Sequence, residues 1–428
     1  MRVMVVHNRY RSAAPSGENI VVDQEAAALR AAGHQVELFE RHSDDIADWS
    51  LARKAGVPAT TVWNGGVKRD LLSRIEAARP DVLHVHNTFP LLSSSVLHAG
   101  REARVPVVAT IHNYRLLCPG GGFFRDGEPC HDCADGHGTA ALRHGCYRGS
   151  RLATAPIVVA NIVHRPAWQR LVSAYIFISQ SQKDLMSGLG LPAERTFVKH
   201  NFVEAGDAHP GTREHLVTYV GRLDAAKGIA VLMQAWDTFR AANPHSRLRL
   251  AVVGDGPMGD EVRTWGAGHP SVEVCGLAPR DQVGALLGRS LACVLTSKSE
   301  ETFGLVAVEA MAAGVAAVAP RTGPFPELIS HGTDGLLFEA GQVGSLAAAL
   351  AEVDREPGRF VAMGRQGRTT YERRFRAGDN LERLLQIYRF VMANPVTSGD
   401  PSDHTQSPDP ATAIPTASPS APQPRTTP

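Results

Sequence analysis

The chain has 428 residues, more than one hydrophobic core usually organises, so two domains are expected. Its 44 basic and 43 acidic side chains nearly balance, which gives no electrostatic case for nucleic acid as the main partner. Six cysteines in this length do not make a secreted disulfide scaffold, and no apolar run reaches the roughly 20 residues that span a bilayer.

RVMVVHN, directly after Met1, predicts a buried strand. No long apolar stretch precedes it, so we expect no signal peptide and a cytoplasmic protein. The loop RYRSAAPSGEN carries Gly17, and a helix pattern follows over residues 20–32, closed by Gly33. QVELFE is the next strand, which completes a βαβ opening. PDVLHVHN predicts another strand whose alternation puts His84 and His86 on one face. Such a pair admits a metal but suits structural histidines better. VPVVATIHNYR places His112 at a strand's C-terminal end, the edge where open α/β sheets bind ligands.

Residues 118–146 read as an irregular, glycine-rich insertion with Cys118, Cys130, Cys133 and Cys146. A Cys-x-x-Cys flanked by two further cysteines can close around a structural zinc. Reduced thiols and a redox or disulfide role stay open beside it. Four thiolates leave no free coordination position, so a catalytic zinc is not expected. Arg143, Arg148 and Arg151 surround the last cysteine, and residues 155–172 follow as an amphipathic helix. That helix suits ordinary packing, an acidic acceptor or a membrane surface. AYIFISQSQKDLM is read as the final strand and helix of a first domain spanning residues 1–203, and VKHNFVEAGDAHPGTREH as the linker.

The second domain is expected over residues 212–375. LVTYVGRLDAAKG is a strand running into a loop with Arg222, Asp224 and Lys227. An arginine can grip phosphate bidentately and a lysine adds a point charge. LRLAVVGDGPMGDEV holds Gly254, Gly256 and Gly259 after a strand, with Glu273 further on, which mimics a dinucleotide fingerprint. VEVCGLAPR supplies another strand and a loop with Leu277.

The stretch TSKSEETFGLVAVEAMAAG then joins a strand end to a helix over residues 305–313, stopped by Gly314. A phosphate suits the helix start at Phe303, Gly304 and Leu305, where unpaired N–H groups and partial positive charge meet. Glu301 at the loop mouth can take one hydroxyl-bearing group. Glu309, inside the helix, can take a vicinal diol such as a ribose. A helix over residues 379–392 follows two others, and from residue 395 a Pro-, Ser- and Thr-rich tail is expected to be disordered.

SEETFGLVAVEAMAAG followed by AVAPRTGPFPELISHGTDGLLF resembles the nucleotide-sugar signature of the large retaining glycosyltransferase family of sucrose synthases and bacterial mannosyltransferases. The resemblance runs to about residue 390. It implies a GT-B fold, two Rossmann-like α/β domains facing each other across a cleft. It also implies that the helix over residues 376–394 packs back on the first domain. Gly17 matches the family's glycine-rich first loop, although Ser16 stands where many relatives have a second glycine. His112 matches a histidine near the transferred sugar. Arg222 and Lys227 match the diphosphate ligands, Gly254 and Leu277 the nucleotide pocket, Glu301 the sugar site and Glu309 the ribose site.

The activity implied is transfer of a sugar from a UDP- or GDP-sugar to a glycan, lipid or small-molecule acceptor, with retention and without a required metal. Three rivals fit parts of the pattern. They are a sugar-nucleotide epimerase of the same architecture, a nicotinamide-dependent oxidoreductase resting on the glycine triplet, and a zinc-stabilised scaffold with a vestigial cleft. The sugar, base, acceptor and oligomeric state are not readable from the residues.

Overall fold

The computed structural model describes residues 1–10, 16–204 and 212–396. The tail expected from residue 395 onward therefore lies outside the described residues after 396, as does most of the first loop before Ser16. Among the described residues are two six-stranded sheets, each entirely parallel. The first runs Gln35–His42, Arg2–Arg9, Val82–Val85, Val107–Ile111, Ala174–Phe177, Thr196–Val198 in spatial order. The second runs Val272–Gly276, Arg249–Val253, Leu216–Val220, Ala292–Val294, Ala316–Pro320, Gly335–Phe338. Parallel strands with both faces covered are continuous apolar runs, and Ala316–Pro320 is buried along its whole length.

Alternation decides what each face meets. Met4, Val6, Leu83 and Val85 enter a core with Leu71, Ile75 and Leu97. Val3, Val5 and Val82 point the other way, onto Leu384, Ile387, Tyr388 and Val391 of the last helix, Ala377–Ala393. That helix follows the second domain in sequence but completes the core of the first. Its Tyr388 hydroxyl lies 2.7 Å from Nδ1 of buried His84.

Three local features differ from the sequence reading. The first domain gains a sixth strand, Thr196–Val198, which precedes and just enters what reads as linker. It is only half-buried at the sheet edge and too short to show a pattern. Helices Leu51–Val62 and Gly65–Ala78 lie in a stretch to which the sequence reading gives no element, although the latter buries Val67, Leu71 and Ile75 at helical spacing; the former buries only Thr61. The helix expected over residues 155–172 is Arg151–Leu171, with Ser150 capping it through the Ala153 N–H.

Candidate active site

In each sheet the strand order reverses beside the first strand of its domain, and ligands of open α/β sheets bind outside the carboxyl ends at such points. The two reversal points open onto one cleft of about 370 Å³. Gly17, Glu18, His112 and Asn113 line it from the first domain, and Lys227, Ser297 and residues 301–306 from the second. Two helices start there. Gly17–Ala31 begins at Gly17, capped by the Ser16 hydroxyl, and Leu305–Ala312 begins after Gly304. A Cβ added at Gly17 would lie 2.9 Å from Leu305 Cδ1, so a larger residue here would have to displace the Leu305 side chain. Gly304 has φ 86°, and a Cβ there would strike the Phe325 ring. Two helix N-termini thus face a common space, a geometry whose partial positive charge favours an anion.

Lys227 and Glu301 meet in this cleft, with Nζ 2.5 Å from Oε1. The Ser297 hydroxyl also donates to the Glu301 carboxylate. Burial alone pushes the Glu301 carboxyl up, but the Lys227 charge and the two hydrogen bonds outweigh it and hold the group below its ordinary value. Glu301 is therefore an anion that accepts hydrogen bonds. First-domain groups fix its loop across the cleft. The Tyr114 hydroxyl donates to Glu301 O at 3.0 Å, the Ser179 hydroxyl to Thr302 O at 2.7 Å, and His131 Nε2 lies 3.0 Å from Glu300 Oε1.

His112 stacks on His86, with its Nε2 2.8 Å from His86 Nδ1. Burial holds both rings well below the usual histidine value, so His112 is neutral near pH 7. Its Nε2 is already engaged with His86, which leaves Nδ1 outside that contact. His84 and His86, weighed in the sequence as a metal pair, lie with Glu25 so that one ligand atom of each falls within 4.8 Å of the others. Most of those atoms are engaged: His84 faces Tyr388 and Thr110, His86 Nδ1 faces His112, and Glu25 Oε1 takes the Lys199 ammonium, while Glu25 Oε2 lies 3.8 Å from His86 Nε2 without a hydrogen bond. A cation beside that ammonium is electrostatically disfavoured, and the histidines serve as core.

Arg222, Gly254, Leu277 and Glu309 do not line this cleft. Arg222 Nε is 3.1 Å from Asp224 Oδ2, one residue beyond the lining Gly221. A Cβ on Gly254 would lie 1.9 Å from Gly221 O, and one on Gly256 2.5 Å from Leu223 O. Those two glycines let the loop pack on the Arg222 loop, which accounts for two of the three without a dinucleotide. Leu277 is largely exposed on its own loop. Glu309 faces Arg280 at 3.7 Å; burial raises its carboxyl, and Arg280 pulls the other way.

Sequence reasoning passed over Glu18 and Asn201. Both line the cleft, and Glu18 Oε1 and Asn201 Oδ1 are buried without a hydrogen-bond partner. Glu18 follows the helix cap, where an acidic residue reads as a partner of the helix dipole. In the fold, burial dominates and pushes it up to about 7, against hydrogen bonds from Tyr10 and Asn113. A raised carboxyl keeps its proton in the folded state, so this group's stabilising effect falls as pH rises from 4.5 to about 7. Glu18→Gln, which mimics the protonated form, should match the parent near pH 4.5 and exceed it by about 3 kcal/mol at pH 8. Chemical denaturation at both pH values measures this, and a parent more stable than Glu18→Gln at pH 8 contradicts the burial argument.

Residues 16–201 match the family model of the glycosyl transferase 4-like domain, and residues 214–355 match that of glycosyl transferases group 1. A D-inositol 3-phosphate glycosyltransferase of Rhodococcus jostii (strain RHA1) is 31% identical over 191 residues, covering 42% of this chain and 42% of that protein. The chain thus spans less than half the length of that relative. A glycogen synthase of Mycobacterium tuberculosis is 25% identical over 415 residues, covering 87% of this chain and 90% of that one. The crystal structure of Anabaena HepE with UDP and glucose superposes with a TM-score of 0.64 at 18% identity, covering 90% of this chain and 98% of that one. With one family model on each sheet domain, the chain belongs to the glycosyltransferases of the GT-B fold.

Proposed function

We propose that the chain transfers a sugar, with retention of anomeric configuration, from a nucleoside diphosphate sugar bound mainly to its second domain. The observation that carries this reading is the Lys227–Glu301 pair between two facing helix starts. A leaving diphosphate gains negative charge as the sugar bond breaks. Pre-placed positive groups in a water-poor cleft stabilise that charge without reorganising. We assign this work to Lys227, Arg222 and the helix start at Phe303, Gly304 and Leu305, with no catalytic metal required. Glu301 accepts hydrogen bonds from the sugar hydroxyls, and His112 contacts the sugar through its free ring nitrogen. Gly17 lets the first domain close on the donor. Glu309 is assigned the ribose, and Gly254 and Leu277 the rim of the nucleotide pocket. The unpaired oxygens of Glu18 and Asn201 suit a hydroxyl-rich ligand.

The HepE structure holds UDP and glucose, so a UDP-sugar is the first candidate donor here, before a GDP-sugar. For the acceptor, Leu152, Ile162 and Val163 stand exposed on Arg151–Leu171, and Arg151 donates to Arg143 O. An apolar face beside arginines favours a lipid-linked acceptor met at an anionic membrane surface from the cytoplasmic side. No helix among the described residues is long and apolar enough to cross a membrane.

The test is calorimetric binding of UDP- and GDP-sugars, followed by product mass and anomeric NMR with lipid and glycan acceptors. Inversion in the product defeats the retaining reading, and conversion of donor without acceptor favours the epimerase. The two glutamates should separate. Glu309→Ala should raise the donor KM more than it lowers kcat, the mark of lost uniform binding. Glu301→Ala should lower kcat more, because a misplaced anomeric carbon slows reaction directly. Free nucleoside diphosphate should bind the Glu301 variant nearly normally and the Glu309 variant poorly. The opposite pattern would exchange the two roles.

A further inference from the structure

Residues 118–146 are poor in regular structure. They hold a two-residue hairpin, Phe124–Arg125 against Glu128–Pro129, and one short helix, Thr139–His144. Their buried apolar residues are Cys118, Phe123, Cys133 and Ala141, too few for a core of their own. Segments this small usually need a staple. Yet the insert makes specific contacts across the cleft. Glu128 meets Lys298 at 2.6 Å and His131 meets Glu300 at 3.0 Å, beside Glu301. Something must hold the hairpin in the shape that reaches those partners.

Cys118, Phe123, Cys133 and Ala141 anchor the insert to the first domain's core, but all six cysteines of the chain are free, so no disulfide closes the insert on itself. Cys118, Cys130, Cys133 and Cys146 nonetheless line one small cavity of about 10 Å³ together with Phe123. The two ends of the insert lie side by side there, since a Cβ on Gly120 would be 3.7 Å from Cys118 Sγ and 3.8 Å from Cys146 Cβ. Arg125 borders the same cavity, and its guanidinium already holds Asp132 at 3.0 Å. Four thiolates around a divalent ion carry a net charge of −2, which a neighbouring arginine favours. The thiols are wider apart than a closed shell: no three of their sulfurs fall within 4.8 Å of one another. Tetrahedral Zn–S bonds of about 2.3 Å put sulfurs roughly 3.8 Å apart, so metal binding requires the four thiols to draw together around the cavity.

We propose that Cys118, Cys130, Cys133 and Cys146 bind one structural Zn²⁺, which pins the insert against Lys298 and Glu300 of the second domain. Binding ionises the four thiols and releases their protons. With all four positions filled by sulfur, the ion has no place for substrate and stabilises shape alone.

The full chain, purified without chelator, should contain one zinc per chain by elemental mass spectrometry. Exchange into Co²⁺ should give the strong thiolate-to-cobalt absorption of a four-sulfur site. Chelation should make four more thiols reactive and raise deuterium uptake in residues 118–146 and 296–301. Cys133→Ser should lose the zinc; if that variant does not fold, metal release from the parent on thiol modification reads the same site. Absence of zinc after supplementation, with all four thiols reactive, overturns the proposal. So do disulfides between these cysteines, or metal retained by Cys133→Ser and lost from His84→Gln. Unchanged deuterium uptake on chelation overturns the pinning role.

Discussion

Lys227→Ala is expected to lower kcat/KM for sugar transfer by about 10²–10³-fold, the loss of about 3 kcal/mol typical of removing one pre-placed stabiliser of developing charge. Two effects act together. The leaving diphosphate loses its nearest cation, and the Glu301 carboxylate, 15% exposed, loses its counter-ion. Without Lys227, burial becomes the dominant influence on Glu301 and pushes it toward the protonated form, which accepts hydrogen bonds from sugar hydroxyls less well. Lys227→Arg keeps the charge but presents a planar fork where a point charge fits, so it should recover part of the rate. Circular dichroism on each variant separates a lost site from a lost fold. A folded Lys227→Ala with undiminished donor affinity and rate would remove this residue from the chemistry.

Acidification should unfold the protein well above the pH at which surface carboxylates titrate. His7 and His84 are lowered to about 4 by burial, and burial holds His86 and His112 well below 6.5. A histidine depressed in the folded state stays neutral there while the unfolded chain takes up a proton, so stability falls as pH drops from 6.5 toward 4. A shift from 6.5 to 4 amounts to about 3 kcal/mol for His7 and for His84 at pH 4, and His86 and His112 act in the same direction. Glu18 acts in the opposite sense over nearly the same window, and offsets about one such ring. The net loss is a large part of the roughly 5–15 kcal/mol that stabilises a typical domain. Urea denaturation from pH 7.5 to 4.5 should show stability falling steadily below pH 6.5, with net proton uptake on unfolding. A flat profile between pH 7 and 5 would mean that the four rings are not buried neutral together.

What the sequence discloses depends on whether a signal is local. Strands such as Arg2–Arg9 and Ala316–Pro320 are legible because burial on both faces writes them as apolar runs. Lys227 and Glu301 are legible because each closely follows a strand's carboxyl end. Thr196–Val198 is not, since three half-buried edge residues carry no period. Helix Leu51–Val62 is almost wholly solvent-facing, so it has no apolar stripe to read. Glu18, Asn113 and Asn201 come from three separate segments, and their convergence is a property of the fold. Arg222 and Gly254 are marked by a strong local pattern, but the ion pair of the one with Asp224 and the close packing of the other on Gly221 are visible only in the fold.

The return of the last helix to the first domain has a mechanical consequence. The chain passes between the domains twice, and the two passages touch. The Val203 N–H donates to Phe375 O at 3.4 Å, the Tyr371 hydroxyl donates to Val203 O at 2.8 Å, and the Asn380 amide donates to His200 O. A single tether would leave the lobes free to swing and twist. Two tethers side by side suppress torsion and leave one soft rotation, like the spine of a book. Opening then parts the facing helix starts along a fixed arc, and each closure returns Gly17 to the same place opposite Leu305. Registry at the reacting centre is thereby set at the spine, far from any residue that touches the sugar.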